Sequence, residues 1–132
     1  MKKYVMLIVA AFFLAACSSG KTEFFPSRGY SADAAEVIVI REERIFGFGF
    51  SMKVLLDGKV IARLKAGQYI TFFVGSGVHT IEIPNSTINV ILEGGRKHYF
   101  VIKTDSSQFG FEIEQVSENK ATSRMAQSQS IN

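Results

Sequence analysis

The residue with the clearest potential for covalent chemistry is Cys17, the only cysteine in the 132-residue chain. Leucine and two alanines occupy positions 14–16 before it, and two serines occupy positions 18–19 after it. Small residues before a cysteine fit the cleft of a signal peptidase, and the thiol is the only soft nucleophile available to accept a diacylglyceryl group. The spacing therefore predicts a lipobox with lipid on Cys17.

Residues 1–16 complete this motif. Lys2 and Lys3 are followed by a stretch without charge from Tyr4 to Ala16. The stretch is shorter than the ~20 residues of a spanning helix, so we predict a cleaved signal peptide rather than a permanent anchor. An ordinary secretory peptide with a leftover thiol and an uncleaved anchor are the alternatives. Two or three acyl chains would make contact with the membrane effectively permanent.

The serines at positions 18–19 bear on the destination, because they lack the aspartate associated with inner-membrane retention in Gram-negative bacteria. We therefore expect a lipid-anchored protein of the cell envelope, at the periplasmic face of the outer membrane. The outer face of a Gram-positive membrane stays open as the alternative, since the residues do not identify the cell type.

Three rings form the candidate binding surface: Phe46, Phe48 and Phe50 alternate with Gly47 and Gly49. In an extended strand this places the rings on one face. Two interpretations are open. The rings fill a core while the glycines allow close backbone approach, which is what we expect, since large apolar residues are usually buried. Alternatively, an exposed row stacks on cell-wall sugars or accepts an apolar partner.

The remaining candidates for chemistry are the two histidines. His79 alternates with Ile81 and Ile83, which predicts a mostly buried imidazole that supports a hairpin loop at residues 75–77. His98 stands beside a lysine. A metal site needs three or four ligands, and no spacing here supplies them, so we predict no metal and no cofactor. The chain also lacks a G-x-S-x-G elbow, and we predict that it is not an enzyme.

Charge excludes one class of partner. The net charge of +3 falls to +1 once Lys2 and Lys3 leave with residues 1–16, and the signs are interspersed. Nucleic-acid binding, which favours clustered Lys and Arg, is therefore not expected. Residues 41–44 form an alternating cluster of Arg and Glu, and we expect its side chains to be solvated, each exposed pair contributing ~0–1 kcal/mol.

The elements that position these residues are short strands. Alternating or β-branched runs recur about every eight to twelve residues between Gly, Pro, Asn or Asp, which is typical of an all-β sandwich. Asp57 and Gly58 favour a type I′ hairpin. Seven or eight strands with short, antiparallel connections should stack as two sheets. The predicted strands cover residues 36–41, 52–56, 59–64, 69–74, 78–83, 88–92, 99–103 and 109–116.

The sequence divides into a signal peptide (1–16), the lipidated cysteine with a flexible tether (17–34), a β-domain (35–116) and a polar tail (117–132). Phe24 and Phe25 in the tether either dock on the domain or dip into the bilayer interface. In the tail, Val116, Ala121 and Met125 fall near one helical face, compatible with a short C-terminal helix. The Gln- and Ser-rich residues 126–132 have nothing to bury, and we expect disorder there.

Several segments together resemble a known family. They are the strand ending in Arg41, the hairpin around Asp57 and Gly58, the strand containing His79, and the Gly-rich turn before Tyr99. Over about residues 35–116 the chain resembles the bacterial lipoprotein domain of unknown function that is related to PEGA-type β-sandwiches. This resemblance implies an antiparallel Greek-key sandwich on a lipid anchor, no established enzymatic activity, and a positioned contact for Arg41, such as one to a loop carbonyl.

The functional expectation is a lipid-anchored, non-catalytic module of the cell envelope. It would have a structural role or bind an envelope protein or a cell-wall component through its sheets or loops. The alternative is an inhibitor or immunity-type lipoprotein that blocks a secreted or periplasmic enzyme through a protruding loop.

Overall fold

The computed structural model describes residues 33–42, 50–104 and 110–132. Within these ranges the chain forms nine strands and one helix, and the strand positions agree closely with those predicted from alternation. The elements are β1 (Ala34–Arg41), β2 (Met52–Leu56), β3 (Lys59–Leu64), β4 (Gln68–Gly75), β5 (Gly77–Ile83), β6 (Ser86–Leu92), β7 (Lys97–Thr104), β8 (Phe111–Val116), α1 (Glu118–Met125) and β9 (Gln129–Ser130).

The strands form two stacked sheets, which confirms the all-β sandwich. One sheet has the order β8-β7-β1-β4-β9 and the other the order β3-β2-β5-β6. The short connections led us to expect antiparallel pairing throughout, but β1 pairs with β7 and β4 with β9 in parallel. The reason is the chain path. After β1 the chain builds most of the second sheet before β7 returns beside β1.

Two turns show how local sequence sets the path. Asp57 and Gly58 have φ of 49° and 81°, as a type I′ hairpin requires, and this prediction is confirmed. The turn at residues 75–77 is different from the predicted hairpin loop. Gly75 ends β4 in one sheet and Gly77 begins β5 in the other, so Ser76 forms a corner between sheets. The φ of 135° at Gly77 is one that glycine tolerates.

The five-stranded sheet is buried on both faces. Its inner face packs on the other sheet in a core that includes Val39, Phe72 and Phe100. Its outer face carries a second apolar cluster covered by α1, whose Ala121 is 0% exposed. This arrangement explains the nearly continuous apolar run of β1, which is typical of strands covered on both sides. The predicted C-terminal helix is thereby confirmed.

The last residues are ordered against the sheet, contrary to the disorder expected for residues 126–132. The backbone N–H of Gln129 donates to the Gly67 carbonyl at 2.8 Å, and that of Ile131 donates to the Tyr69 carbonyl at 3.1 Å. The Asn132 side chain continues this pairing with the backbone of Thr71. The edge of β4 therefore offers backbone partners that compensate for the polar composition of the tail.

The sandwich has two ends with different contents. We call the end where β1 begins the proximal end, because the N-terminal segment with Cys17 reaches the domain there. It also carries the corner at residues 75–77 and the turn at residues 93–96, since Ala34 pairs with Gly75 and the backbone N–H of Gly95 donates to the Ala34 carbonyl at 2.9 Å. The opposite end, where β1 finishes at Arg41, is the distal end.

Candidate functional site

Arg41 organises the distal end. It is the last residue of β1 and only 1% exposed. Its Nη1 donates to the carbonyl of Phe50 at 2.9 Å and to the carbonyl of Leu64 at 2.7 Å. The contact to a loop carbonyl that the family resemblance implied is therefore present. The two bonds connect the end of β1 to the segment before β2 and to the end of β3.

Two aromatic rings flank this guanidinium. The Cζ atom of Arg41 lies 4.6 Å from the centroid of the Phe50 ring and 5.3 Å from that of Phe111. The two rings meet edge to face, with centroids 5.9 Å apart. Burial lowers the pKa of Arg41, but an arginine titrates so far above neutral pH that the guanidinium stays charged. The geometry is that of a partly desolvated cation–π contact.

Phe50 is 45% exposed, so its ring does not fill the core as expected. The physical reason is the buried guanidinium, which lies at the end of the sandwich with the ring packed against it. The result is an aromatic side chain with one side fixed and the other open to solvent. Phe46 and Phe48 lie outside the described residues, and their place in the core or in an exposed row stays a prediction.

The neighbouring charges are not simply solvated, as we expected for residues 41–44. Glu42 is only 9% exposed, and its Oε1 lies 3.2 Å from Nε of Arg124 near the end of α1. This ion pair links the helix to the distal end. Alternating charges in the sequence did not distinguish Arg41 and Glu42, which fold inward, from residues beyond them.

At the proximal end, His79 bridges two turns. Its Nδ1 lies 2.6 Å from Oδ2 of Asp57, and its Nε2 lies 2.7 Å from the carbonyl oxygen of Gly75. The support for the turn at residues 75–77 is thereby confirmed. Both oxygens are acceptors, so both ring nitrogens must donate, which requires the imidazolium form. Since Nε2 already contacts a carbonyl, it is not placed to act as a general base.

The pKa values of this pair follow from the same contacts. Burial acts to lower the pKa of His79, but the hydrogen bonds to Asp57 and Gly75 outweigh it and the pKa is raised. The Asp57 carboxylate accepts from the backbone N–H of Thr80 and from His79, and its pKa is lowered. Across residues 33–42, 50–104 and 110–132, no three His, Cys, Asp or Glu side chains gather as metal ligands would.

A shallow cleft of about 460 Å³ lies between α1 and the outer face of the five-stranded sheet. Charged and polar side chains line it, including Glu36, Lys97, Tyr99 and Glu118. Burial and the nearby Glu118 raise the pKa of the Tyr99 phenol, while Lys97 and Glu36 lie 3.8 Å apart as an ion pair. Sequence reasoning missed this cleft because its lining comes from separate strands and the helix, with no spacing to connect them.

Comparisons with known proteins concern mainly the N-terminal segment. Residues 1–18 match the prokaryotic membrane lipoprotein lipid attachment site. The matched residues include Cys17, the only cysteine of the chain. The chain therefore has the lipid attachment signal of a bacterial lipoprotein of the cell envelope. This segment and Cys17 lie outside the described residues. No helix of the part that the structure describes is long and apolar enough to cross a membrane.

Among solved structures, the N-terminal domain of AlgF from P. aeruginosa is similar to the β-domain. The likeness has a TM-score of 0.43 and 10% sequence identity, and it covers 66% of this chain and 100% of that one. The search of curated proteins finds no match. The relation to PEGA-type domains stays a prediction.

Proposed function

We propose that this protein is a non-catalytic binding module of the cell envelope, held by lipid on Cys17 and presenting the distal end of its sandwich to a partner. The signal peptide would be removed before Cys17, and the protein would reside at the periplasmic face of the outer membrane. The partner would be an envelope protein or a cell-wall component.

The observation that carries this proposal is the environment of Phe50. Its ring is 45% exposed, yet the Arg41 guanidinium and the Phe111 ring hold it in place. A pre-positioned ring loses little conformational freedom when it binds, which favours affinity. The hydrophobic face of such a ring suits a sugar ring or an apolar side chain.

The position of Phe50 in the fold supports the same proposal. The chain enters the sandwich at Ala34, and β1 carries it eight residues to Arg41 at the opposite end. At about 3.3 Å per residue, that strand spans roughly 25 Å. A ring at the distal end is therefore remote from the point at which the lipid-bearing segment joins the domain, where envelope partners have more room to approach.

The binding test uses two surface variants of the lipidated protein. Phe50→Ala removes the exposed ring, and Thr87→Ala changes an exposed residue on β6 as the matched control. Each protein is used for capture from envelope extracts and for sedimentation with purified peptidoglycan. We expect a partner, or peptidoglycan itself, that Thr87→Ala retains and Phe50→Ala loses. If the two variants bind alike, Phe50 is not the binding residue. Capture of a hydrolase with loss of its activity would favour the inhibitor hypothesis.

The anchor is tested separately. Cys17→Ser should prevent lipid attachment and move the protein from the membrane fraction to the soluble or unprocessed fraction. In a Gram-negative host, Ser18→Asp should retain the lipidated protein in the inner membrane. Persistence of the Cys17→Ser protein with lipid-modified membrane proteins would contradict the anchor, and an unchanged distribution of Ser18→Asp would contradict the outer-membrane assignment.

A further inference from the structure

An exposed apolar pair stands on the outer face of the four-stranded sheet. Val78 on β5 and Ile91 on β6 are 73% and 71% exposed, and they face each other directly across the two strands. The next outward pair along these strands is polar, with Thr80 Oγ1 donating to Oδ1 of Asn89 at 2.8 Å. The apolar pair is therefore confined to one corner of an otherwise polar ladder.

Strand alternation accounts for the exposure but not for the residue types. Val90 and Leu92, which flank Ile91, point inward and are 5% and 1% exposed. Ile91 must then point outward, where a polar residue would cost nothing. Single exposed apolar residues are common on protein surfaces. Two that face each other at one corner raise the question of what covers them.

The corner lies at the proximal end. Gly77, which pairs with Leu92, is two residues beyond Gly75, and Gly75 pairs with Ala34 at the start of β1. Asp33, the first described residue of the domain, follows Cys17 by 16 positions. Fully extended, such a segment reaches at most roughly 60 Å. Val78 and Ile91 thus occupy the end of the domain from which the chain leads to the lipid.

We propose that Val78 and Ile91 contact the bilayer that holds the lipid on Cys17 and so orient the domain with its distal end away from the membrane. This inference goes beyond the proposed binding function and rests only on lipid attachment at Cys17. Two small side chains cannot recruit a protein from solution. A tethered domain, however, is already at high effective concentration at the surface, so a small contact suffices to select an orientation.

The charges around the corner are compatible with a lipid surface. Arg96 Nε lies 3.0 Å from Glu93 Oε2 in the turn at residues 93–96, and Lys97 pairs with Glu36. These acidic groups are thus each matched by a basic group. The corner therefore presents no unbalanced cluster of carboxylates to lipid phosphates, and the apolar pair can lie at headgroup depth without charge repulsion.

The absence of tryptophan from the chain allows a direct test. Ile91→Trp and, as the distal control, Phe50→Trp each introduce a single fluorophore into the full lipidated protein. Both are reconstituted by the lipid anchor into phosphatidylcholine vesicles with brominated acyl chains. We expect quenching at position 91 to exceed quenching at position 50 several-fold. Equal quenching at the two positions would overturn the proposal.

Two further variants distinguish the bilayer from a second copy of the chain as the occupant of this corner. Adding Val78→Asp to Ile91→Trp should abolish most of the quenching while the protein stays on the vesicles. The unlipidated protein, made with Cys17→Ser, should show a solvent-exposed emission spectrum at position 91 at every concentration. A spectrum that shifts to the blue with concentration would identify a second copy as the occupant and overturn the proposal. Neither result depends on partner capture through Phe50, so the two hypotheses fail separately.

Discussion

The two ends of the sandwich are built for different tasks. At the proximal end, connections are short and polar groups fix the turns, as His79 does between Asp57 and Gly75. At the distal end the chain makes longer connections, with ten residues between β1 and β2 and six between β7 and β8. Long surface connections on a rigid scaffold are where proteins usually place binding residues. Groups that stabilise the fold and groups suited to recognition are thus separated along the strands.

Phe48→Ala tests whether the aromatic segment belongs to the core or to the binding surface. The sequence predicts a core position, and loss of a buried Phe costs ~3–5 kcal/mol, comparable with the whole stability of a small domain. Phe50→Ala is the comparison, and its half-exposed ring should cost far less. Thermal melts of the mature chain without lipid measure both. A Phe48→Ala melt like that of the wild type would extend the distal surface to this residue.

Arg41→Met should produce the next largest loss. The substitution removes the two hydrogen bonds to the carbonyls of Phe50 and Leu64, and bonds with a charged donor contribute ~1.5–3 kcal/mol each. We expect a loss of about 3 kcal/mol in the free energy of unfolding, measured by urea denaturation. Arg63→Met, at an exposed position of β3, is the control and should change it little. Similar losses in both variants would show that burial of Arg41 is not what stabilises the distal end.

Gly94→Ala probes the proximal end. A Cβ atom at Gly94 would collide with the backbone carbonyl of Asp33, where the chain enters β1. Overpacking of this kind costs ~1–3 kcal/mol. Gly75→Ala is the matched control, because a Cβ there meets nothing within 4 Å. Urea denaturation should separate the two variants, and equal stability would mean that the contact between the β6–β7 turn and the N-terminal segment is loose.

The smallest effect is the pH dependence of the His79 and Asp57 pair. The folded-state pKa of His79 is raised above its ordinary 6.5, so its contribution is complete below about pH 6.5 and disappears as pH rises through the folded value. The pKa of Asp57 is lowered, so its contribution disappears as pH falls through its folded value. Because the Asp57 side chain is 48% exposed, we expect at most ~1 kcal/mol from the pair.

Thermal melts between pH 4 and pH 9 measure this dependence. Wild-type protein should lose a few degrees of Tm between mildly acidic and alkaline pH, since ~1 kcal/mol corresponds to ~4–8 °C in a domain of this size. His79→Gln cannot carry the charge and should remove most of that slope. An identical slope in His79→Gln would assign the pH dependence to other groups.

Local patterns in the sequence predicted the strands well, because alternation reports which face of a strand is buried and Asp57 with Gly58 defines a turn. They did not predict partners. Alternation is the same whether β4 continues into a hairpin or turns a corner at Ser76, and whether β7 lies parallel or antiparallel to β1. Those choices depend on how complete sheets pack.

The candidate site was predictable only in part. The repeat from Phe46 to Phe50 marked the segment, but the exposure of Phe50 follows from the guanidinium of Arg41, which a pattern of charges cannot place inside the fold. The tail at residues 126–132 was misjudged for a related reason, since its partner is backbone at the edge of β4 rather than apolar surface.

The most direct test of the account is photo-crosslinking in living cells, with a photoreactive amino acid at position 50 or at position 91 of the lipidated protein. We predict a discrete adduct with an envelope protein or peptidoglycan from position 50, and lipid adducts alone from position 91. The same protein adduct from both positions, or a protein adduct from position 91 only, would contradict the division of the sandwich into a distal binding end and a proximal membrane end.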